Sequence, residues 1–215
     1  MYLGSEFSNE EIKKVLDNKG IKYTEPENYT KVVGELLADG KIIGRYNGRQ
    51  EFGPRALGNR SILGAPFDAD INNWLNDKLN RTEFMPFAPS IIEEKASDYL
   101  EGYNKDHIAA NFMTITYNIK KGKSEEIPAV VHVDNTARPQ VVKKDINPSF
   151  YAIIEAFYKK TGCAAVLNTS FNMHEEPIVR TPEHAVKAFF QSQLDYLSIG
   201  KYLVSLEDNK EFIEQ

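Results

Sequence analysis

The chain has 215 residues, 41% hydrophobic and 27% charged, with a formal net charge of −5, the balance of a soluble globular protein able to bury a sizeable core. The acidic surplus argues against duplex nucleic acid or an anionic membrane as partner, while leaving room for a local basic pocket. Cys163 is the one cysteine, so an internal disulfide is excluded, and its small apolar neighbours read as a reduced core thiol in a cytoplasmic chain.

The first six residues lack the basic start and apolar core of a signal peptide, and no apolar run is long enough to span a bilayer. Residues 8–19 read as a helix capped by Ser8 or Asn9, with Ile12, Val15 and Leu16 as its apolar stripe and Gly20 as its stop. A second helix is predicted over residues 29–38, and a strand over residues 41–46. Residues 47–66, punctuated by Gly48, Gly53, Pro54, Gly58, Gly64 and Pro66, read as one shaped loop. Helices follow over residues 68–79 and 93–100, with an extended stretch over residues 85–92 between them. Residues 113–119 alternate like a strand, and residues 129–133 form a β-branched strand. Then come a helix over residues 148–161, a short buried strand over residues 164–168, and a helix over residues 182–192 capped by Thr181. Strands at residues 196–199 and 202–204 precede a polar tail. This mixture predicts an α/β or α+β fold with a mixed sheet.

Four clusters carry candidate chemistry. Arg49, Arg55 and Arg60 lie within twelve residues on Gly/Pro-kinked backbone, beside Ser61. Planar guanidinium forks on such a loop converge on one anion, or else pair with surface acids. Residues 166–172 form an apolar strand that ends in Asn168, Thr169, Ser170, Phe171 and Asn172. If extended, Asn168, Ser170 and Asn172 share one face at a strand end, where open α/β sheets bind ligands; the alternative is a side-chain-capped turn. His132, Asp134, Thr136 and Arg138 follow the expected strand at residues 129–133, as a structural set or as groups holding a ribose or phosphate. Lys78 and Arg81, three apart, share a helical side, either as a solvated face or as an anion grip. No zinc pattern, nucleophilic-serine elbow, Walker loop or dinucleotide fingerprint is present.

The motifs together have a resemblance. Glu51-Phe52-Gly53-Pro54-Arg55-Ala56-Leu57-Gly58-Asn59-Arg60-Ser61-Ile62-Leu63 is similar to the signature of the O-carbamoyltransferases that decorate antibiotics and nodulation factors. Pro86-Phe87-Ala88-Pro89, His132-Val133-Asp134, Thr136-Ala137-Arg138-Pro139-Gln140, Asn168-Thr169-Ser170-Phe171-Asn172, Glu176-Pro177-Ile178-Val179 and Ile199-Gly200-Lys201-Tyr202-Leu203-Val204 follow in that family's order. The resemblance implies the carboxy-terminal part of a two-part enzyme, α/β with a mixed twisted sheet flanked by helices, similar to threonylcarbamoyl-AMP synthases. It implies a domain over residues 29–206, with residues 1–28 as linker and helix and residues 207–215 as tail. It also implies ATP and Mg²⁺ as cofactors, carbamoyl phosphate as ultimate donor, and carbamoyl transfer to a hydroxyl of a small molecule. The implied partner is an amino-terminal metal domain, in cis or in trans; the alternative to a transferase domain is a nucleotide- or acceptor-binding module that is inactive without that partner. A homodimer is left open. By the same resemblance Arg55, Ser170 and His132 act in catalysis, His132 as base. Arg49, Arg60, Ser61, Lys78, Arg81, Thr136, Arg138, Asn168 and Asn172 bind the adenylate, and the chain itself holds no metal. Ser170-Phe171-Asn172 matches the synthases' Ser-x-Asn pair. Their Lys-x-Arg pair is met only by Arg81, because Leu79 stands two residues before it and Lys78 one position early. Glu175 stands where the family often has glycine.

Overall fold

The computed structural model describes residues 1–79 and 87–213. In chain order its elements are α1 (Asn9–Asn18), α2 (Tyr29–Ala38), β1 (Ile43–Tyr46), β2 (Arg60–Gly64), α3 (Ile71–Lys78), β3 (Ala88–Ile92), α4 (Glu93–Tyr99), β4 (Tyr117–Asn118), β5 (Thr136–Ala137), β6 (Gln140–Val142), α5 (Pro148–Thr161), β7 (Ala165–Ser170), α6 (Pro182–Ser192), β8 (Tyr196–Ile199) and β9 (Tyr202–Ser205).

Local chemistry sets the helix ends. Ser8 and Glu11 form a reciprocal capping box at α1, so two orphan N–H donors are satisfied at once. Asn147 and Thr181 each accept a backbone N–H at the starts of α5 and α6, where Pro148 and Pro182 follow without needing a donor. Gly162, at φ 79°, closes α5.

Seven strands form one sheet in the order β6-β3-β7-β2-β1-β8-β9. The pairs β1–β8 and β3–β6 are parallel and the others antiparallel, so the sheet is mixed, as the sequence predicts. Side chains alternate across a strand, and β1 uses both faces. Arg45 reaches Ser149 at the start of α5, whereas Tyr46 donates to the Arg180 carbonyl just before α6. Those two helices therefore flank opposite faces. α2 lies on α5 so closely that a Cβ on Gly34 would sit 2.6 Å from both the Ala156 Cβ and the Ile153 carbonyl oxygen. The core runs through the sheet, with Ile43, Ile62, Leu63, Ile91, Val166, Leu167 and Leu197 fully buried. Among the described residues no helix is long and apolar enough to cross a membrane.

Several segments differ from expectation. The loop predicted over residues 47–66 ends early, because Arg60–Gly64 is a central strand. Residues 129–133 are not a strand: Pro128–Val130 is a 3-10 turn, and Pro128 supplies no ladder N–H. Of the strand predicted at residues 113–119, only Tyr117–Asn118 joins a ladder and Ile119 adds a single bridge to Leu100, since Met113 takes a left-handed φ of 55° that breaks extended backbone. The amino-terminal stretch is packed, with Ile12, Leu16 and Ile21 in the core. The polar tail is docked as well, through buried Asn209, which accepts from Lys22 N and donates to Lys22 O.

Candidate functional site

The signature loop is built around a buried acid. Glu51 is 6% exposed, and its Oε1 accepts the backbone N–H groups of Leu57, Asn59 and Arg60 at 2.8, 2.7 and 3.1 Å. Three donors on one carboxylate oxygen are charge-assisted bonds, and they curl residues 51–60 about that oxygen. Nothing in the motif's resemblance marks Glu51 for this role. The available signal was an acid inside a Gly/Pro-rich loop, where unpaired N–H groups accumulate.

Arginine placement divides the loop in two. Arg60 is fully buried. It donates to the carbonyls of Asn47, Asn59, Ser5 and Gly48 and lies 3.7 Å from the Tyr46 ring centroid. Arg45, also fully buried, donates to Gly58 O at 2.6 Å and to Ser149. Burial lowers the pKa of both, and Glu51 opposes that shift. These are structural cations whose bonds go to the protein itself. Arg49 is exposed, and its carbonyl accepts from Asn59. Ser61 is buried and accepts from Gly58 N at 2.9 Å. The three loop arginines therefore do not converge: of the three, only Arg55 lines the cavity described next.

Arg55 lines a cavity of about 250 Å³ with Pro54 and Ala56. Phe87 and Ala88 at the start of β3 form another wall, and Asn168, Thr169, Ser170 and Asn172 at the end of β7 a third; Met113, Arg138, His174 and Glu175 complete it. Asn168, Ser170 and Asn172 all line the same space, but so does Thr169, and Asn172 lies beyond the end of β7 in a side-chain-capped turn. Asn168 is held by its Nδ2, which donates to Ser90 Oγ and Gln140 Oε1, each at 3.0 Å, and its Oδ1 is a buried acceptor without a protein partner. Asn172 donates to the carbonyls of Met173 and Glu176. That closes the turn carrying His174 and Glu175, the latter at a left-handed φ of 61°.

Electrostatically the cavity is cationic. Burial lowers the pKa of Arg138, and the charge of Arg55 lowers it further. Ion pairs among the described residues all use lysine, so no carboxylate there neutralises either guanidinium. Two like charges sharing a partly dry space, with the Arg138 Nε buried and unpaired, form an arrangement that an incoming anion relieves.

Other expected residues lie elsewhere. His132 does not line the cavity; its Nδ1 is 3.0 Å from Thr136 Oγ1, and Thr136 donates to Asp134. The three groups brace a tight turn, with Asn135 at φ 61°. Lys78 donates to Gln193 at 2.9 Å and packs near the Trp74 ring. Arg81 and Pro86 lie outside the described residues. His174, Glu175 and Met113 were not anticipated on the cavity. No cluster of three or more His, Cys, Asp or Glu able to hold a metal occurs among the described residues.

A mixed α/β sheet carries an arginine-lined cavity at the end of its β7 strand. Over residues 34–206 the sequence matches the family described as Carbamoyltransferase C-terminus, and the chain belongs to that family. It is 42% identical over 211 residues to an uncharacterized protein of Methanocaldococcus jannaschii, covering 95% of this chain and 40% of that one. It is 36% identical over 208 residues to nodulation protein NolO of Bradyrhizobium diazoefficiens, covering 95% of this chain and 38% of that one. Among solved structures, full-length HypF in a phosphate- and nucleotide-bound form superposes with a TM-score of 0.57 at 18% identity, over 87% of this chain and 22% of that one. The chain thus spans about two fifths of the length of the curated relatives it matches over most of its own length.

Proposed function

We propose that the Arg55–Arg138 cavity binds ATP and the carbamoyl-adenylate made from it, as the part of a carbamoyltransferase that supplies an activated carbamoyl group to a hydroxyl of a small-molecule acceptor. The observation that carries this reading is the pair of guanidiniums, in no ion pair with a carboxylate among the described residues, lining one cavity with the hydroxyl and amide side chains at the end of β7. Support comes also from membership of the family and from the nucleotide- and phosphate-bound state of the HypF structure that shares the fold.

The chemistry suits these groups. Carbamate oxygen attacks the α-phosphorus of ATP, a P–O bond forms, and the P–O bond to pyrophosphate breaks. Catalysis there consists of positioning and charge neutralisation, which Arg55 and Arg138 provide. Asn168, Ser170 and Asn172 orient the carbamoyl group and the phosphate. When the acceptor hydroxyl then attacks the carbamoyl carbon, AMP leaves and the hydroxyl proton passes to a base. With Glu175 as the one carboxylate on the described cavity wall, Mg²⁺ would enter on the phosphates of ATP, its usual mode in such sites.

Isothermal titration with ATP·Mg²⁺ tests the claim, and a folded sample that releases no heat and shows no binding would sink it. A second reading is favoured by the length of the relatives: a nucleotide-binding module that is active only beside an amino-terminal metal domain. Carbamate plus ATP separates the two. Pyrophosphate release by this chain alone supports an autonomous adenylating unit, and release only after the partner is added supports the module.

A further inference from the structure

The loop that carries Arg55 is tied down by the first five residues of the chain, which lie outside the stretch matched by the family. Gly4 N donates to Gln50 O at 2.9 Å, Gln50 N to Ser5 O at 3.0 Å, and Phe52 N to Met1 O at 2.8 Å. Tyr2 and Glu51 face each other in an antiparallel bridge. The Arg60 guanidinium adds a bond to Ser5 O at 3.3 Å. This is a strap stitched along residues 48–52.

One side chain of the strap reaches further. Tyr2 Oη donates to Leu57 O at 2.8 Å and accepts from Asn147 Nδ2 at 3.0 Å. The same Leu57 carbonyl accepts from Gln140 Nε2 at 2.8 Å, and Gln140 Oε1 accepts from Asn168 Nδ2 at 3.0 Å. Leu57 N is held by Glu51 Oε1. Residue 57 is thus gripped at both its N–H and its C=O, two residues from Arg55, in a network that ends on a wall of the cavity. Fixed backbone on both sides limits where an arginine two residues away can put its guanidinium.

We infer that residues 1–5 are an integral part of the cavity's architecture, and that Tyr2 is a positioning residue that acts through Leu57 on Arg55 and through Gln140 on Asn168. The inference deepens the anion-site reading and rests on it for its ligand, but the strap itself is testable without ligand. Tyr2→Phe in the full chain removes only the hydroxyl. Amide hydrogen exchange should then quicken about threefold to tenfold at Leu57 and Asn59, the scale of one lost hydrogen bond, with the centre of α5 unchanged. Equal acceleration throughout, or none, overturns the strap. Affinities for ATP·Mg²⁺ and for pyrophosphate complete the test in Tyr2→Phe, Arg55→Ala and the double variant. Tyr2→Phe should weaken binding severalfold in the parent and add nothing once Arg55 is gone. Independent, additive losses overturn the route through Arg55. If the parent binds neither probe, the anion-site reading falls, and exchange alone decides the strap.

Discussion

Gly58 lies so close under the Phe150 ring that a Cβ on it would fall within 2.7 Å of Phe150 Cγ and Cε1. Its φ is 103°, and Gly53 in the same loop has φ 107° with nothing within 4 Å of its hypothetical Cβ. Gly53→Ala therefore isolates the cost of left-handed backbone, about 1–2 kcal/mol. Gly58→Ala adds overpacking against Phe150, about 1–3 kcal/mol more. Urea unfolding should rank them in that order. Equal losses would mean that the aromatic ring yields freely.

Arg55 and Arg60 stand five residues apart with opposite duties. Truncating Arg55 should weaken ATP·Mg²⁺ binding by about tenfold to a hundredfold, the range for charge-assisted bonds. Stability should hold or rise slightly, because the repulsion that lowers the Arg138 pKa disappears. Arg60→Ala should do the reverse, destabilising the protein by about 3 kcal/mol or more, since the Asn47 and Gly48 carbonyls lose their donor and the Ser5 and Asn59 carbonyls one of two. Calorimetric titration beside thermal melts distinguishes the two. Loss of stability in Arg55→Ala would place that side chain among the structural cations.

Glu51→Gln keeps the shape of the side chain and removes its charge. Arg45 and Arg60 then remain buried without the acid that opposes their desolvation. Glu51 forms no direct ion pair with either, so the loss should stay below the about 3–5 kcal/mol of breaking a buried salt bridge. A melting temperature matching the parent would show that the three backbone donors, rather than the arginines, are what Glu51 serves.

What could be read in advance follows from the range of the forces involved. α2, α5 and α6 have the predicted bounds because their determinants are local: a side-chain cap and an apolar stripe in each, with a proline at the first turn of α5 and α6. Arg60 and Ser61 were placed in a binding loop because nothing nearby marks β2; its register is set by β7, with Ser61 opposite Ser170, far away in sequence. The β-branched run at residues 129–133 had the composition of a strand but no partner to pair with. Arg55, Arg138, Asn168, Ser170 and Asn172, which the ordered motifs single out, share the lining of one cavity. His132, Thr136, Arg49 and Lys78 belong to turns and surfaces whose direction only tertiary packing decides.

Raised pKa values of buried acids set the alkaline limit of stability. Burial pushes the Cys163 thiol from its usual value near 9 to about 11, and pushes the Tyr2 and Tyr46 hydroxyls to about 12. For each, the unfolded chain gives up its proton first as pH rises. Between the ordinary and folded values the native state holds the extra proton, so stability present at neutral pH is lost upward through that window. Melting temperature should therefore fall from about pH 9 towards pH 12. Cys163→Ala should start lower, through a small cavity, yet decline less steeply between pH 9 and pH 11. Identical slopes for parent and variant would remove Cys163 from the alkaline transition. At pH 8 the native thiol should also react with a soluble disulfide reagent far more slowly than the urea-unfolded one, because thiolate, not thiol, is the nucleophile.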